Sequence, residues 1–251
     1  MFTGVGVALV TLFDDGGNLL AQATAEHAAR LVGLGVRAIV VAGTTGEAAA
    51  LTTGERVALI QNVRAAIDGR VPLLAGTGAA STRQAVELTG QALEAGADAV
   101  LVLSPPNTTD ALPYFVAVAK AAAGAPLLAY HYPAVSPPGI PVQALDTLPI
   151  DGLKDSSGEP ERLLEELSFW GGHLYTGSSA ILALAGPMGC AGAILALANV
   201  EPERCIAAFA GDTTAQRQLA PAHLAARRSF PRGIKQLTAR RFGTAVHSRM
   251  G

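Results

Sequence analysis

The sequence predicts an α/β fold, a closed (β/α)₈ (TIM) barrel followed by a short C-terminal helical appendage. Eight short runs rich in Val, Ile, Leu and Ala alternate with longer stretches of helical periodicity. These runs are apolar at nearly every position, which is typical of parallel strands that are buried on both faces. The length of 251 residues suits one barrel of roughly 200–250 residues, and eight strand–helix units favour a closed barrel over an open sheet.

The individual elements follow from the change of hydrophobic period along the chain. The strand candidates lie, in order, at 5–12, 38–42, 72–76, 99–103, 126–131, 152–154, 174–176 and 192–197. The helix candidates between them lie at 23–35, 53–67, 82–95, 111–123, 142–148, 159–169 and 179–188. After Val200 the pattern is purely helical, with segments at 202–210, 215–227 and 234–242.

The chain contains no linker-like, low-complexity or charge-block segment. We therefore predict a catalytic barrel at 1–200 and a C-terminal helical extension at 201–251 that packs on it. In such a barrel the functional residues lie at the carboxyl ends of the strands and in the loops that follow them.

Composition limits the classes of partner. A net charge of −2 and a pI near 6.2 provide no basic surface for nucleic acid or an anionic membrane. The longest apolar runs are too short to cross a bilayer. Two cysteines, Cys190 and Cys205, do not make a disulfide framework, and we expect both to be small buried hydrophobic residues. We therefore expect a cytoplasmic protein without nucleic-acid or membrane partners.

Lys154 ends the short sixth strand, in Gly152-Leu-Lys-Asp-Ser-Ser-Gly158, where an apolar residue would be ordinary. A lysine that points into the mouth of a barrel loses hydration. Its pKa then falls, and the free amine can attack a carbonyl. The alternative, from the residues alone, is a surface lysine at the end of a strand.

Tyr130 ends the fifth strand, in Leu-Leu-Ala-Tyr-His-Tyr-Pro133. Neighbouring strands lie about 4.7–4.9 Å apart, so Tyr130 and Lys154 can share one site, where a phenol can move protons. An aromatic cover on the barrel core is the alternative. Successive side chains of a strand point to opposite faces. Tyr132 is therefore expected on the same face as Tyr130 and could take the same role, whereas His131 is expected on the other face, which favours packing or an interface.

Gly43-Thr-Thr-Gly-Glu47 follows the second strand. Two glycines around two hydroxyl residues, leading towards a helix, make a turn whose backbone N–H groups can hold a carboxylate. A plain turn between strand and helix is the alternative. Glu47 is either a buried structural carboxylate or a helix-cap partner, and we assign it no chemistry.

The sequence lacks the usual patterns for metals and dinucleotides. The five histidines are scattered and show no His-x-His or His-Glu-x-x-His spacing. Gly76-Thr-Gly-Ala-Ala-Ser81 lacks the third glycine of a dinucleotide loop, and there is no Gly-x-Ser-x-Gly motif. We expect neither a metal nor an organic cofactor.

Taken together, these motifs resemble the dihydrodipicolinate synthase/N-acetylneuraminate lyase superfamily of class I pyruvate-dependent aldolases. The resemblance runs from about Val5 to the end of the chain. It depends on Gly43-Thr-Thr-Gly-Glu47, Tyr130-His-Tyr-Pro133, Gly152-Leu-Lys-Asp-Ser-Ser-Gly158 and Gly192-Ala-Ile-Leu-Ala-Leu-Ala-Asn199, in this order and on these strands.

The resemblance implies a role for each site residue. Lys154 would form an imine (Schiff base) with the 2-oxo carbon of pyruvate or a relative. Tyr130 would shuttle protons and Thr44 would hydrogen-bond to it, so these three are the expected catalytic residues. The remaining expected contacts hold substrate: Gly43, Thr45, Gly177, Ser178 and Ile194.

Departures from the family pattern bear on the substrate. The arginine that holds the aspartate-semialdehyde carboxylate in the synthases is replaced here by Val135, and Ser104-Pro-Pro-Asn107 lacks their tyrosine pair. Tyr114 is displaced into the next helix. Thr176-Gly-Ser-Ser-Ala180 lacks the acidic residues of neuraminate lyases. The Tyr-x-Tyr-Pro-Ala string instead looks like 2-keto-3-deoxygluconate aldolases.

The favoured function is reversible aldol cleavage of a 2-keto-3-deoxy sugar acid to pyruvate and an aldehyde. A 4-hydroxy-tetrahydrodipicolinate synthase or a related 2-oxo-acid dehydratase is the enzymatic alternative, and a non-catalytic barrel that binds 2-oxo acids is the alternative of another class. The resemblance also implies a homo-oligomer. A homotetramer is usual in the family, and the short connection at 212–216 makes a homodimer the alternative.

Overall fold

A computed structural model describes residues 1–250. Eight parallel strands form a closed barrel in which each strand pairs with the next and β8 pairs with β1. The fold predicted from the sequence is therefore confirmed. The strands are β1 Gly4–Ala8, β2 Ile39–Val41, β3 Leu73–Gly76, β4 Ala99–Leu103, β5 Leu127–His131, β6 Gly152–Asp155, β7 His173–Thr176 and β8 Gly192–Leu195.

Helices surround the barrel and continue beyond it. They are α1 Ala21–Gly33, α2 Thr53–Ile67, α3 Thr82–Glu94, α4 Leu112–Ala122, α5 Pro160–Phe169, α6 Leu182–Ala185, α7 Pro202–Phe209, α8 Thr213–Arg228 and α9 Arg232–Phe242. No helix within residues 1–250 is both long and apolar enough to span a membrane.

The first strand is shorter than predicted because its last residues bond to side chains instead of to neighbouring strands. The Val10 N–H donates to the Asn199 side chain at 3.1 Å, and the Leu12 N–H donates to the Thr24 hydroxyl at 3.0 Å. The predicted strand at 5–12 therefore ends at Ala8.

Two predicted helices are also reduced. Residues Val142–Thr147 form a 3₁₀ helix, and Leu148 is extended with ψ of 138° because Pro149 follows it. In the predicted helix 179–188, only Leu182–Ala185 is α-helical. Helix α8 holds both the segment before this helix and its first turn, since the Gln216 amide donates to the Ser179 carbonyl at 2.9 Å and its oxygen accepts the Ala183 N–H at 3.0 Å.

The predicted boundary at residue 200 falls inside one continuous hydrophobic core. Helix α7 follows β8 and packs against β1, so it takes the place of the eighth barrel helix. Buried residues of α8 and α9, such as Leu219 and Ile234, belong to the same cluster as Val7 and Leu31. The extension beyond the barrel consists of α8, α9 and the segment after them.

Candidate active site

Lys154 lies inside the barrel on β6. The strand register places it between Tyr130 on β5 and Tyr175 on β7, and only 4% of the residue is exposed. Burial lowers the pKa of Lys154 from 10.5 to about 7 because the low-dielectric interior disfavours the ammonium form. Near neutral pH about half of the amine is therefore free, whereas at the ordinary pKa the fraction would be roughly 1 in 3,000.

The space around Lys154 depends on Gly177, the first residue after β7. A Cβ built on Gly177 would collide with the Ser156 hydroxyl and lie 3.0 Å from Cε of Lys154. Ordinary carbon contacts are about 3.5–4.0 Å, so only glycine leaves both side chains where they are.

Tyr130 lies beside the amine, with its ring centroid 4.2 Å from Nζ of Lys154. Burial raises the pKa of the Tyr130 phenol, and hydrogen bonding from the Ser156 and Thr44 side chains acts in the opposite direction. The phenol is therefore neutral at physiological pH, and two hydroxyl groups are positioned to exchange a proton with it. The ring of Tyr132 stacks on that of Tyr130 with centroids 5.8 Å apart.

The loop at 43–47 is held by its own backbone. The Gly43 carbonyl accepts from Gly46 and Ala48 at 3.0 and 3.2 Å, and the Thr44 carbonyl accepts from Glu47 at 3.1 Å. Within residues 1–250, the N–H groups of Thr44 and Thr45 donate to no protein acceptor. Two free adjacent N–H groups can hold a carboxylate, as this motif predicts.

A cavity of about 480 Å³ opens at the carboxyl ends of these strands. Of the predicted site residues it is lined by Lys154, Tyr130, Thr45, Gly177, Ser178 and Ile194. Gly43 and Thr44 do not line it. Thr44 reaches the site through the Tyr130 hydroxyl, and Gly43 contributes the carbonyl that shapes the loop.

Ser156 is a site residue that the sequence reasoning missed. It lines the cavity, hydrogen-bonds to Tyr130, and donates its own N–H to the His131 carbonyl at 2.9 Å. The sequence does contain an indication of this role. Ser156 stands two residues after Lys154, and side chains two residues apart in a strand point to the same face.

Helix α8 forms the opposite wall of the cavity, which the sequence did not indicate. His223, Arg227 and Phe230 line it from the extension. The imidazole Nδ1 of His223 is 2.8 Å from the Ser179 hydroxyl, and burial lowers the pKa of His223. No local pattern could have revealed this wall, because the helix is brought to the cavity only by tertiary packing.

Other candidates lie away from the cavity. His131 has the packing role that its parity predicts, since its Nδ1 accepts the Ile140 N–H at 2.9 Å. Tyr114 is buried in α4 with its hydroxyl 3.1 Å from the Ala79 nitrogen. Val135 is 47% exposed and does not line the cavity.

Cys190 and Cys205 are both buried free thiols, as predicted. Within residues 1–250, no three His, Cys, Asp or Glu side chains are placed to hold a metal ion together.

Comparison with known proteins extends these observations. The model of the dihydrodipicolinate synthetase family matches residues 1–240. The 4-hydroxy-tetrahydrodipicolinate synthase of Pseudomonas aeruginosa is 37% identical, with 90% of this chain and 83% of the relative covered. The crystal structure of dihydrodipicolinate synthase DapA-2 from Bacillus anthracis superposes with a TM-score of 0.90 at 27% identity, covering 100% of this chain and 92% of that chain.

A second solved structure is the chloride-inhibited dihydrodipicolinate synthase of Acinetobacter baumannii complexed with pyruvate. It has a TM-score of 0.87 at 28% identity, and 94% of this chain and 87% of that chain are covered. The resemblance inferred from the motifs is thus confirmed along nearly the whole chain. This protein belongs to the dihydrodipicolinate synthetase family of carbon–carbon lyases.

Proposed function

We propose that the chain is a class I lyase in which Lys154 forms an imine with pyruvate or a close 2-oxo acid. The observation that carries the proposal is a lysine, 4% exposed, that faces the cavity beside Tyr130. Within residues 1–250 it has no carboxylate partner at ion-pair distance. A buried lysine without a counter-ion is suited to nucleophilic attack and contributes nothing as a structural charge.

The proposed reaction begins when the Lys154 amine attacks C2 of the 2-oxo acid. Tyr130 moves the proton from nitrogen to the carbonyl oxygen, and the resulting carbinolamine loses water to give the protonated imine. We assign the substrate carboxylate to the backbone N–H of Thr45, which lines the cavity with Ile194, and the free N–H of Thr44 is its neighbour in the same turn. Thr44 and Ser156, both bonded to Tyr130, carry the proton onwards.

The imine is an electron sink for the carbon–carbon step. In the cleavage direction the C3–C4 bond electrons move towards the imine nitrogen, which yields the enamine of pyruvate, while the C4 hydroxyl loses its proton and becomes the aldehyde carbonyl. The neutral Tyr130 phenol beside the amine relays that proton: it takes up the proton from the C4 hydroxyl as its own proton passes on towards C3 of the enamine. Protonation of the enamine at C3 and hydrolysis of the imine then release pyruvate and restore the amine.

For the second substrate we propose a 2-keto-3-deoxy sugar acid. The cavity wall after β7 carries the hydroxyl groups of Ser178 and Ser179, which suit a polyhydroxylated chain. A cavity of about 480 Å³ is within the roughly 300–1,000 Å³ range of small-molecule sites. Val135 provides no guanidinium for the carboxylate of aspartate semialdehyde, and an apolar side chain cannot replace a bidentate contact. Arg227 also lines the cavity, but it comes from the α8 wall and not from the loop after β5.

The alternative is a 4-hydroxy-tetrahydrodipicolinate synthase, which is the name of the Pseudomonas aeruginosa relative. Turnover of pyruvate with aspartate semialdehyde separates the two. Robust condensation would refute the argument from Val135, whereas cleavage of 2-keto-3-deoxygluconate without condensation supports the aldolase. Tight binding of pyruvate without either reaction would favour a non-catalytic 2-oxo-acid-binding barrel.

The first test is reduction with borohydride in the presence of pyruvate, followed by peptide mass spectrometry. The chain has three lysines, Lys120, Lys154 and Lys235, so an adduct is easily located. We expect the reduced pyruvyl group on Lys154 alone. Lys154→Ala should abolish trapping and Lys120→Ala, the matched control, should not. A folded wild-type protein without an adduct would refute the proposal for pyruvate.

We also propose that the protein is a cytoplasmic homo-oligomer, a tetramer or a dimer. Two buried free thiols suit a reducing compartment. The connection between α7 and α8 is short, and Asp212 caps α8 by accepting the N–H groups of Thr214 and Ala215 at 2.8 and 3.0 Å. Light scattering that gives a clean tetramer would refute the dimer.

A further inference from the structure

Glu47 ends the loop at 43–47, and the proposed reaction does not use it. Its side chain is completely buried. Its backbone is left-handed, with φ of 56° and ψ of 43°. A non-glycine residue adopts this conformation at a cost in free energy, and it persists only where the surroundings hold it.

The surroundings that hold Glu47 come from the C-terminal extension. One carboxylate oxygen pairs with the buried Nζ of Lys235 on α9. The other accepts the Ser248 hydroxyl at 2.9 Å and the Met250 N–H at 2.8 Å. Lys235 in turn donates to the His247 carbonyl at 2.8 Å. Within residues 1–250, all the hydrogen bonds of this carboxylate lead either to α9 or to residues 247–250. We call residues 247–250 the tail.

The tail has a second attachment to the same region. The Arg249 guanidinium pairs with Glu55 on α2 and donates to the Ala50 carbonyl at 2.8 Å. The ring of Phe13, in the loop after β1, contacts two cations, with Lys235 at 4.4 Å and Arg249 at 4.2 Å from its centroid. The tail is thus joined to two loops at the carboxyl end of the barrel.

Glu47 is also bonded directly to the candidate carboxylate-binding residues. Its N–H donates to the Thr44 carbonyl at 3.1 Å, and Gly46, the residue before it, is held by the Thr11 hydroxyl at 2.7 Å. Only two residues, Thr45 and Gly46, separate Glu47 from Thr44. The backbone of Glu47 is therefore part of the same turn that carries the free N–H groups of Thr44 and Thr45.

We propose that Glu47 and Lys235 are positioning residues of the active site, through which α9 and the tail hold the substrate-binding loop in its binding conformation. The inference rests on the proposed function for the identity of the bound group, a 2-oxo-acid carboxylate. It assigns the C-terminal extension a part in substrate binding, in addition to packing on the barrel.

The test compares three variants by the pyruvate concentration that half-saturates borohydride trapping. Glu47→Gln removes the ion pair, and Ser248→Ala removes one hydrogen bond while leaving both charges. Glu203→Gln is the control, because it breaks a 2.6 Å ion pair between α7 and Arg241 of α9 that involves neither the loop at 43–47 nor the tail. We expect Glu47→Gln and Ser248→Ala to raise the half-saturating concentration, by about tenfold and about threefold, with the limiting trapping rate within twofold of wild type.

A structural role alone would give a different pattern. Glu47→Gln leaves Lys235 as a buried unpaired charge, so the double variant Glu47→Gln with Lys235→Met restores neutrality and recovers thermal stability. If the half-saturating concentration also returns to the wild-type value, the pair only stabilises the fold and the proposal is wrong. If stability recovers and pyruvate binding stays weak, the pair positions the loop.

Hydrogen exchange of the peptide that contains residues 43–50 is the readout that does not depend on pyruvate. We expect faster exchange in Glu47→Gln and Ser248→Ala, and wild-type exchange in Glu203→Gln. Equal exchange in all three variants would overturn the proposal. If wild-type protein is not trapped with pyruvate, the proposed function fails, and exchange still decides whether the tail holds the loop.

Discussion

Gly177→Ala adds one methyl group at the point where two candidate site residues approach the backbone. The new Cβ would overlap the Ser156 hydroxyl and lie 3.0 Å from Cε of Lys154. The φ of Gly177 lies outside the left-handed region, so alanine can adopt the same backbone and the effect is purely steric. The substitution therefore tests whether close packing positions the amine.

The magnitude follows from the displacement that the methyl group requires. Relief of the overlap displaces the Ser156 side chain and shifts Lys154 by roughly 0.5–1 Å, since carbon contacts are normally about 3.5–4.0 Å. Overpacking of this kind costs about 1–3 kcal/mol of stability. A misplacement of about 1 Å at a reacting group can lower the rate by about 10²-fold. We expect trapping to be slower by about 10–100-fold, in a folded protein.

Single-turnover trapping with saturating pyruvate is the assay, with thermal unfolding measured in parallel. Gly90→Ala is the matched control, because Gly90 lies within α3 and a Cβ there meets no atom within 4 Å. The control should be more stable by about 0.5–1 kcal/mol and should trap at the wild-type rate. A Gly177→Ala protein that traps within twofold of wild type would refute the packing argument.

Three further outcomes are expected. Tyr130→Phe should slow turnover by about 10²–10⁴-fold, the usual range for a lost acid–base group, and a value within twofold of wild type would remove Tyr130 from the mechanism. His223→Ala should raise the KM for the aldehyde about tenfold and leave pyruvate trapping unchanged, because His223 lies in the cavity wall that α8 forms. Equal effects on the aldehyde and on pyruvate would contradict this assignment of His223 to the aldehyde. Burial lowers the pKa of His27 from 6.5 to about 4, so the neutral form stabilises the fold fully above pH 6.5, and this stability is lost as the pH falls towards 4. The free energy of unfolding of His27→Leu, measured in urea, should therefore fall by about 2 kcal/mol less between pH 7 and pH 5 than that of the wild type. An identical fall in both proteins would show that His27 is not the titrating group.

Much of the fold and part of the site could be predicted because the relevant signals are local. Each strand carries its own apolar run, and each loop carries its own turn residues. The parallel register then places the ends of β5 and β6 side by side, which is why Tyr130 and Lys154 could be assigned to one site from sequence. Their observed register, with Tyr130 opposite Lys154, agrees with that reasoning.

The parts that could not be predicted depend on contacts between segments far apart in the chain. The predicted helix at 179–188 fails where Gln216 and His223 bond to its first residues. These partners act through specific side-chain geometry, which has no periodic signature in the sequence.

The sequence by itself determined the barrel, the reactive lysine and the turn beside it, because strand period and turn chemistry are properties of neighbouring residues. Only the tertiary structure decided that α8 closes the cavity and that Glu47 is held by Lys235, 188 residues away. A buried carboxylate is stable only with partners, and the chain must be folded before those partners exist. The role of Glu47 was therefore open in the sequence and assigned only by its contacts.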